Sequence, residues 1–413
     1  MSNPVNKLMD LRLRWDNRFL KIGQFLFLLG VAFLIIRKNT YPWPIKRASD
    51  ILFLLSSICA LPHWNIIKTI FNKIKISILL ILGGLLSSSL FAYFFLNLKI
   101  INSSVLSFGR FIEVIIIILL VGFFQAQDKD FYKKIAVAQL STLIYILTLI
   151  IPSNIHNFMY RFELFENWPS NSSYYLIPSI ILIISSLFYL NNNYKKILIY
   201  LAGSGLIAIM LWTQSRATWF AMFLSIVIFL IIWSRKSALK FLLGFVIVLG
   251  MTVIGFFSLM PSIQNEIIYR IFPQIRQEKI LQPNQAAQII LEENLSPKLY
   301  ETSRPHLWKK FGKRIIENPL GEGLNYRLER DQIGDAKGPH NTILEILING
   351  GIISLLGYLS IFYLGFKNIL GKKFDMWRTY VFISLIGLTI ASQFDNMSTF
   401  RLLWVLLGLS IYL

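Results

Sequence analysis

A single cysteine, Cys59, occurs in 413 residues. It excludes an intramolecular disulfide and any cysteine-built metal site. Charge is scarce as well: only 15% of residues are Asp, Glu, Lys or Arg, against roughly 25% in soluble domains. So few charges cannot give a globule of this size a hydrated surface. The chain lacks a Gly-rich loop ending in Lys to cradle phosphates, a His-Glu-x-x-His helix and any clustered histidines at zinc spacing. Asp128-Lys129-Asp130 has the form of an acidic metal–nucleotide motif. Its neighbours Lys133 and Lys134 suit a solvated charge cluster better. Acidic residues are the scarcer sign, 21 against 41 basic, for a formal net charge of +20. In a soluble chain that imbalance would point to nucleic acid. In a chain that is 55% hydrophobic it points to basic loops facing anionic lipid, with no nucleic-acid partner.

Long apolar runs are what the sequence has in abundance. A helical span needs about 20 apolar residues. Twelve candidates are found, at 20–36, 49–62, 76–96, 105–124, 135–151, 173–190, 197–212, 218–233, 239–260, 343–366, 377–391 and 399–413. Continuous runs such as Val114–Val121 exclude a membrane β-barrel, which needs alternation. The class predicted is therefore an all-α integral membrane protein. Twenty basic residues fall in the short loops on the side of the N-terminus, including Lys133, Lys134, Lys372 and Lys373, against eight in the short loops opposite. The positive-inside rule then puts both termini in the cytoplasm. Ile35-Ile36-Arg37-Lys38 offers no small-residue cleavage site, so the first span is expected to be retained.

The organisation expected is a bundle over 1–260, a polar loop or cap over 261–342 on the outer face, and three further spans over 343–413. The loop carries 12 basic and 10 acidic residues. Ile289, Ile290 and Leu291 lie in a stretch with helical character. Leu307, Trp308, Phe311 and Ile315 recur at helical spacing, with Ser303 and Pro305 as start signals and Asn318-Pro319 as the stop. Gly321-Glu322-Gly323 then forces a turn.

Few polar groups on the outer face have chemistry to offer. His340, in Gly338-Pro339-His340-Asn341, directly precedes an apolar run and is expected to open a helix. A helix N-terminus disfavours imidazolium, and a neutral imidazole is a serviceable general base. A histidine that merely caps an interfacial helix would look the same. His306 falls inside the amphipathic segment 307–315 region and is a weaker candidate. Arg216 follows a span and has no acidic neighbour in sequence; Arg304 lies in Thr302-Ser303-Arg304-Pro305-His306; Arg270 and Arg276 begin the loop. Guanidinium forks suit phosphate or pyrophosphate oxygens, or lipid headgroups. Arg110 lies near the outer end of a span, three residues from Glu113, where an intrahelical ion pair is the plain expectation.

These residues resemble the superfamily of O-antigen ligases and O-antigen polymerases. The resemblance rests on Ser215-Arg216-Ala217-Thr218-Trp219, on Ser303-Arg304 with Trp308, on Asn318-Pro319-Leu320-Gly321-Glu322-Gly323-Leu324, and on His340-Asn341 with Gly351 following. It covers most of residues 200–366. Ser354 departs from the Gly, Thr or Val more usual in ligases. The resemblance implies a fold similar to other lipid-linked-sugar glycosyltransferases, with about twelve spans. It implies transfer of a glycan from undecaprenyl pyrophosphate to lipid A–core oligosaccharide, at the periplasmic face of the bacterial inner membrane. His340 would be the base, with Arg216 and Arg304 on the pyrophosphate. Arg276, Arg270, Arg110 and Asn341 would help to bind substrate, and no metal or other cofactor would be needed. A polymerase would use a second lipid-linked repeat as acceptor. It often has two large outer loops, whereas the loop at 152–172 is short here, which favours the ligase. A lipid-linked-glycan transporter would line its path with charges inside the spans.

Overall fold

The computed structural model describes residues 4–35, 48–95, 102–145, 173–189, 215–232, 304–324 and 338–413, with positions 194, 202–203, 205–207, 209–210, 250 and 326. Among these the secondary structure is helical throughout. The helices are α1 (Pro4–Ala32), α2 (Ala48–Ala60), α3 (Trp64–Phe95), α4 (Asn102–Gln127), α5 (Phe131–Tyr145), α6 (Leu176–Tyr189), α7 (Arg216–Ile232), α8 (Arg304–Glu317), α9 (Thr342–Leu370), α10 (Met376–Ala391) and α11 (Arg401–Tyr412). Three stretches among the described residues are long and apolar enough to cross a membrane: Ala48–Phe95, Ser107–Gln127 and Thr342–Leu370. Hydrocarbon offers no partner to a bare amide, so apolar runs close their hydrogen bonds as helices. The expected spans at 197–212 and 239–260, the helical stretch around Ile289–Leu291, and Arg270 and Arg276 lie wholly or largely outside the described residues.

The second and third expected spans are joined more tightly than their lysines suggested. A one-turn 3-10 segment at Leu61–His63 reverses the chain, and α3 starts at Trp64. Lys68, Lys73 and Lys75 ride on the exposed face of α3, because Ile67, Ile70, Ile74 and Ile78 continue a buried stripe through them. Helical period outweighs local charge here.

α3 and α9 run antiparallel at close range. Ser354 Oγ donates to the Ile81 carbonyl (2.9 Å), and Ser360 Oγ donates to Ser77 Oγ (2.6 Å). A Cβ at Gly84 would fall 2.4 Å from Ser354 Oγ. Small residues and hydroxyl bonds are how helices associate without a hydrophobic drive. Ser354 thus has a packing partner. Elsewhere Phe27, Phe53, Phe124 and Phe131 stack where α1, α2, α4 and α5 meet.

α9 is broken at Gly351, whose φ of 67° and ψ of −170° are non-helical. The hydrogen bond between Ile348 C=O and Ile352 N–H is replaced by two others. Glu322 N–H donates to the Ile348 carbonyl (2.6 Å), and Ile352 N–H donates to the Pro319 carbonyl (3.0 Å). The Asn318–Leu324 turn is therefore spliced into the helix. A Cβ at Gly351 would lie 2.4 Å from the Leu320 oxygen. Gly323 N–H completes the seat by donating to Ser88 Oγ of α3 (2.8 Å).

The helix ends sort into two groups. Tyr412 OH donates to the Ile70 carbonyl, Lys372 Nζ to the Leu413 carbonyl, and Tyr132 meets Trp377 edge-on. At the other end Tyr175 OH donates to the Leu34 carbonyl and packs on Phe400. His340 belongs to this second end.

Candidate active site

His340 sits in a turn, two residues ahead of α9, and does not open the helix itself. Its φ of 47° places it in the left-handed region, uncommon for a residue with a Cβ. Asn341 is the N-cap, its Oδ1 accepting from Leu344 N–H (3.1 Å). Asn was the stronger cap of the two, because its short side chain reaches the exposed amides of the first turn.

A second segment, Ser392–Met397 between α10 and α11, is laced onto this turn. Asn341 N–H donates to Asn396 Oδ1 (3.2 Å) and Asn341 Nδ2 to the Gln393 carbonyl (3.0 Å). Thr342 N–H donates to the Ser392 carbonyl (2.9 Å). Buried Thr342 Oγ1 donates to the Asp395 carbonyl (3.0 Å) and accepts from Met397 N–H (2.7 Å). These five bonds fix Asp395 beside His340, with Nδ1 to Oδ1 at 3.8 Å. Asp395 Oδ1 also accepts from Asn396 N–H (2.8 Å), and Oδ2 accepts from Tyr174 OH (3.3 Å). The histidine side chain is 29% exposed and the carboxylate 14%. The imidazole is accessible while the carboxylate beside it is largely covered. With Nδ1 turned to the carboxylate, Nε2 is the ring nitrogen directed away from it.

Tyr174 ties Arg216 to the same place. Ser173, its neighbour, is hydrogen-bonded through Oγ to Thr218 Oγ1, which donates to Ser215 Oγ (2.9 Å). Ser173, Ser215 and Thr218 are all buried, so this chain of hydroxyls anchors the start of α7. Arg216 is exposed between buried Ser215 and Ala217, and Phe220 one turn later packs edge-on against Phe394. Arg304 arrives from the other side. Trp308 Nε1 donates to the Pro339 carbonyl (2.9 Å), the residue before His340. Arg304 is four residues earlier on α8 and shares that face of the helix. Leu307 and Phe311 pack with Ile348 to hold α8 along α9.

Among the expected residues, the structure brings His340, Asn341, Arg216 and Arg304 to one end of the bundle. Arg110 is exposed at that same end of α4. Glu113, expected to serve Arg110, gives both carboxylate oxygens to Arg401, which also reaches Asp50 Oδ1 (2.6 Å). Arg401 is 5% exposed. Its partners lie hundreds of residues away in sequence, where no local pattern announces them. Asp395 was missed too. An aspartate in a short outer connection of a chain poor in acids was the available signal. Among the described residues no group of three or more His, Cys, Asp or Glu could hold a metal ion. Asp128 and Asp130 are engaged with Lys134 and Lys133, each at 2.6 Å.

The fold and these helix-end residues define a helical membrane protein with a histidine–carboxylate pair and arginines gathered at one end of the bundle. Residues 201–359 match the family model described as O-antigen ligase. That segment contains Arg216, Arg304, the spliced Asn318–Leu324 turn and His340. No curated protein and no solved structure matches the chain.

Proposed function

We propose that the protein transfers O-antigen glycan from undecaprenyl pyrophosphate to the lipid A–core oligosaccharide. The observation that carries this reading is the His340–Asp395 pair, held by two segments laced together and flanked by the helix starts that bear Arg216 and Arg304. His340 Nε2 takes the proton of the acceptor hydroxyl as its oxygen attacks the anomeric carbon. The bond from that carbon to the pyrophosphate oxygen breaks, and the leaving group departs with the electron pair. Arg216 and Arg304 stabilise the growing negative charge, and bidentate guanidinium contacts suit its oxygens. A positioned base contributes about 10²–10⁴-fold to such a step. Asp395 acts through the histidine and is a positioning residue. Arg110, Arg270, Arg276 and Asn341 are assigned to substrate binding in this reading, with Asn341 shaping the turn. The basic end of the bundle supports cytoplasmic termini, which sets the site toward the periplasm of the inner membrane.

The test is His340→Ala and Arg216→Ala in a host lacking the gene, read on a lipopolysaccharide gel. A ligase defect leaves bare core while long undecaprenyl-linked polymer accumulates. Core capped by a single repeat would show a polymerase instead. Unchanged ladders in both variants would remove the catalytic assignment.

A further inference from the structure

The outer loop as a whole is nearly neutral, yet its charges are not spread evenly. α8 carries Arg304, Lys309, Lys310, Lys313 and Arg314 against the single acid Glu317. The rest of the 261–342 loop is correspondingly acidic. Arg304 shares the face of Trp308 that meets the His340 turn. The other four cations lie on the exposed side, and Lys310, Lys313, Arg314 and Glu317 line an open cleft of about 370 Å³. Like charges three and four residues apart repel on a helix, as Lys310 does with Lys313 and Arg314. Glu317 approaches Lys313 and Arg314 only at 3.8 Å. The cluster therefore keeps an excess of positive charge that the described residues do not answer.

Position along the axis narrows what would answer it. α8 begins at the level of His340, where Trp308 meets Pro339, and ends where Pro319 meets Ile352 in the break of α9. Lys310, Lys313 and Arg314 follow Trp308 by two to six residues, about 3–9 Å further along at 1.5 Å per residue. Beyond them, Ile316 is 82% and Leu320 45% exposed. From the His340 turn downward the order is the imidazole, then the cationic band of α8, then the bare apolar side chains of Ile316 and Leu320. A glycolipid seated in a leaflet offers the same order: sugar hydroxyls, phosphate, acyl chains.

We propose that this face of α8 docks the phosphate groups of the acceptor glycolipid, setting the height of its sugar relative to His340. The proposal rests on the reading of the protein as a glycan transferase to a lipid-borne acceptor. Its test uses the full chain in nanodiscs, with purified lipid A–core as acceptor and the same glycolipid after phosphatase treatment. Lys310→Gln/Lys313→Gln/Arg314→Gln together should raise the acceptor KM about tenfold while the donor KM holds. Wild-type protein should lose the same factor on dephosphorylated acceptor, and the triple variant should lose nothing further on it. Binding of labelled lipid A–core to a His340→Ala background, with and without the three substitutions, reads the same difference without turnover. Lys313→Gln alone, at a side chain 80% exposed, gives a smaller shift from a substitution that the fold tolerates. An unchanged acceptor KM and unchanged binding would overturn the proposal, as would a shift in donor KM instead. A defect that follows the phosphatidylglycerol content of the nanodisc would overturn it in favour of ordinary anionic lipid. Absence of transfer by the wild type would count against the transferase reading itself, a separate outcome.

Discussion

At the end of the bundle away from His340, charges pair with near neighbours in sequence and stay wet. Lys133 meets Asp130, Lys134 meets Asp128, and Arg378 lies 3.6 Å from Asp375, all largely at the surface. At the His340 end, charges pair across the fold and are mostly covered. Arg401 joins Asp50 and Glu113 from three helices, and Asp395 is brought to His340 by a segment 55 residues away. Exposed pairs are screened and worth about 0–1 kcal/mol, whereas breaking a buried pair strands a charge at about 3–5 kcal/mol. The same residue types thus do different work: at one end they pair locally and stay in solvent, at the other they are covered and fix individual atoms.

Substitutions should separate the two ends, beginning with the largest effect. Arg401→Ala is expected to cost about 3–5 kcal/mol of stability, since two carboxylates lose their cation. Unfolding of the detergent-solubilised protein measures it. Replacing all three groups (Asp50→Asn, Glu113→Gln, Arg401→Met) should recover most of that loss. His340→Ala should lower transfer about 10²–10⁴-fold with unfolding unmoved. Asp395→Asn should cost roughly ten- to a hundredfold, because hydrogen bonds to charged groups are worth about 1.5–3 kcal/mol. Its pH–rate profile should shift with the loss, which a purely structural role for Asp395 would not produce. Gly351→Ala should destabilise by about 1–3 kcal/mol through a left-handed backbone and a Cβ pressed on Leu320; proteolysis at the 318–324 turn reports it. At the opposite end, Asp128→Asn should cost under about 1 kcal/mol. The hydrogen bond from Lys134 holds the Asp128 carboxyl below its usual range. That small stabilisation is present at neutral pH and lost as pH falls through the lowered value, so the variant should lose this acid-side dependence.

Much of the fold was legible because membrane helices announce themselves by composition. The stop at Asn318-Pro319 and the turn at Gly321–Gly323 were legible as well, since proline and glycine act locally. The start of α3 was not, because lysines on an amphipathic helix look like a loop when counted without their period. Candidate residues with chemistry of their own, His340, Arg216 and Arg304, stand out by type. Asp395 and Arg401 do not, because their roles exist only through contacts 55 and 288 residues away in sequence. Asn341 was singled out as a binder, yet its visible work is to cap α9 and hold the Gln393–Asn396 segment.

The break at Gly351 has a consequence for how the outer loop can move. Pulling the Asn318–Leu324 turn away frees the Ile348 carbonyl and the Ile352 amide together, and those two groups are each other's partners in an unbroken helix. Release would exchange two hydrogen bonds for one, pairing both α9 groups and leaving the Glu322 amide and the Pro319 carbonyl to solvent, so the joint is built like a latch. α8 hangs from one side of that latch by the peptide chain and from His340's turn by Trp308.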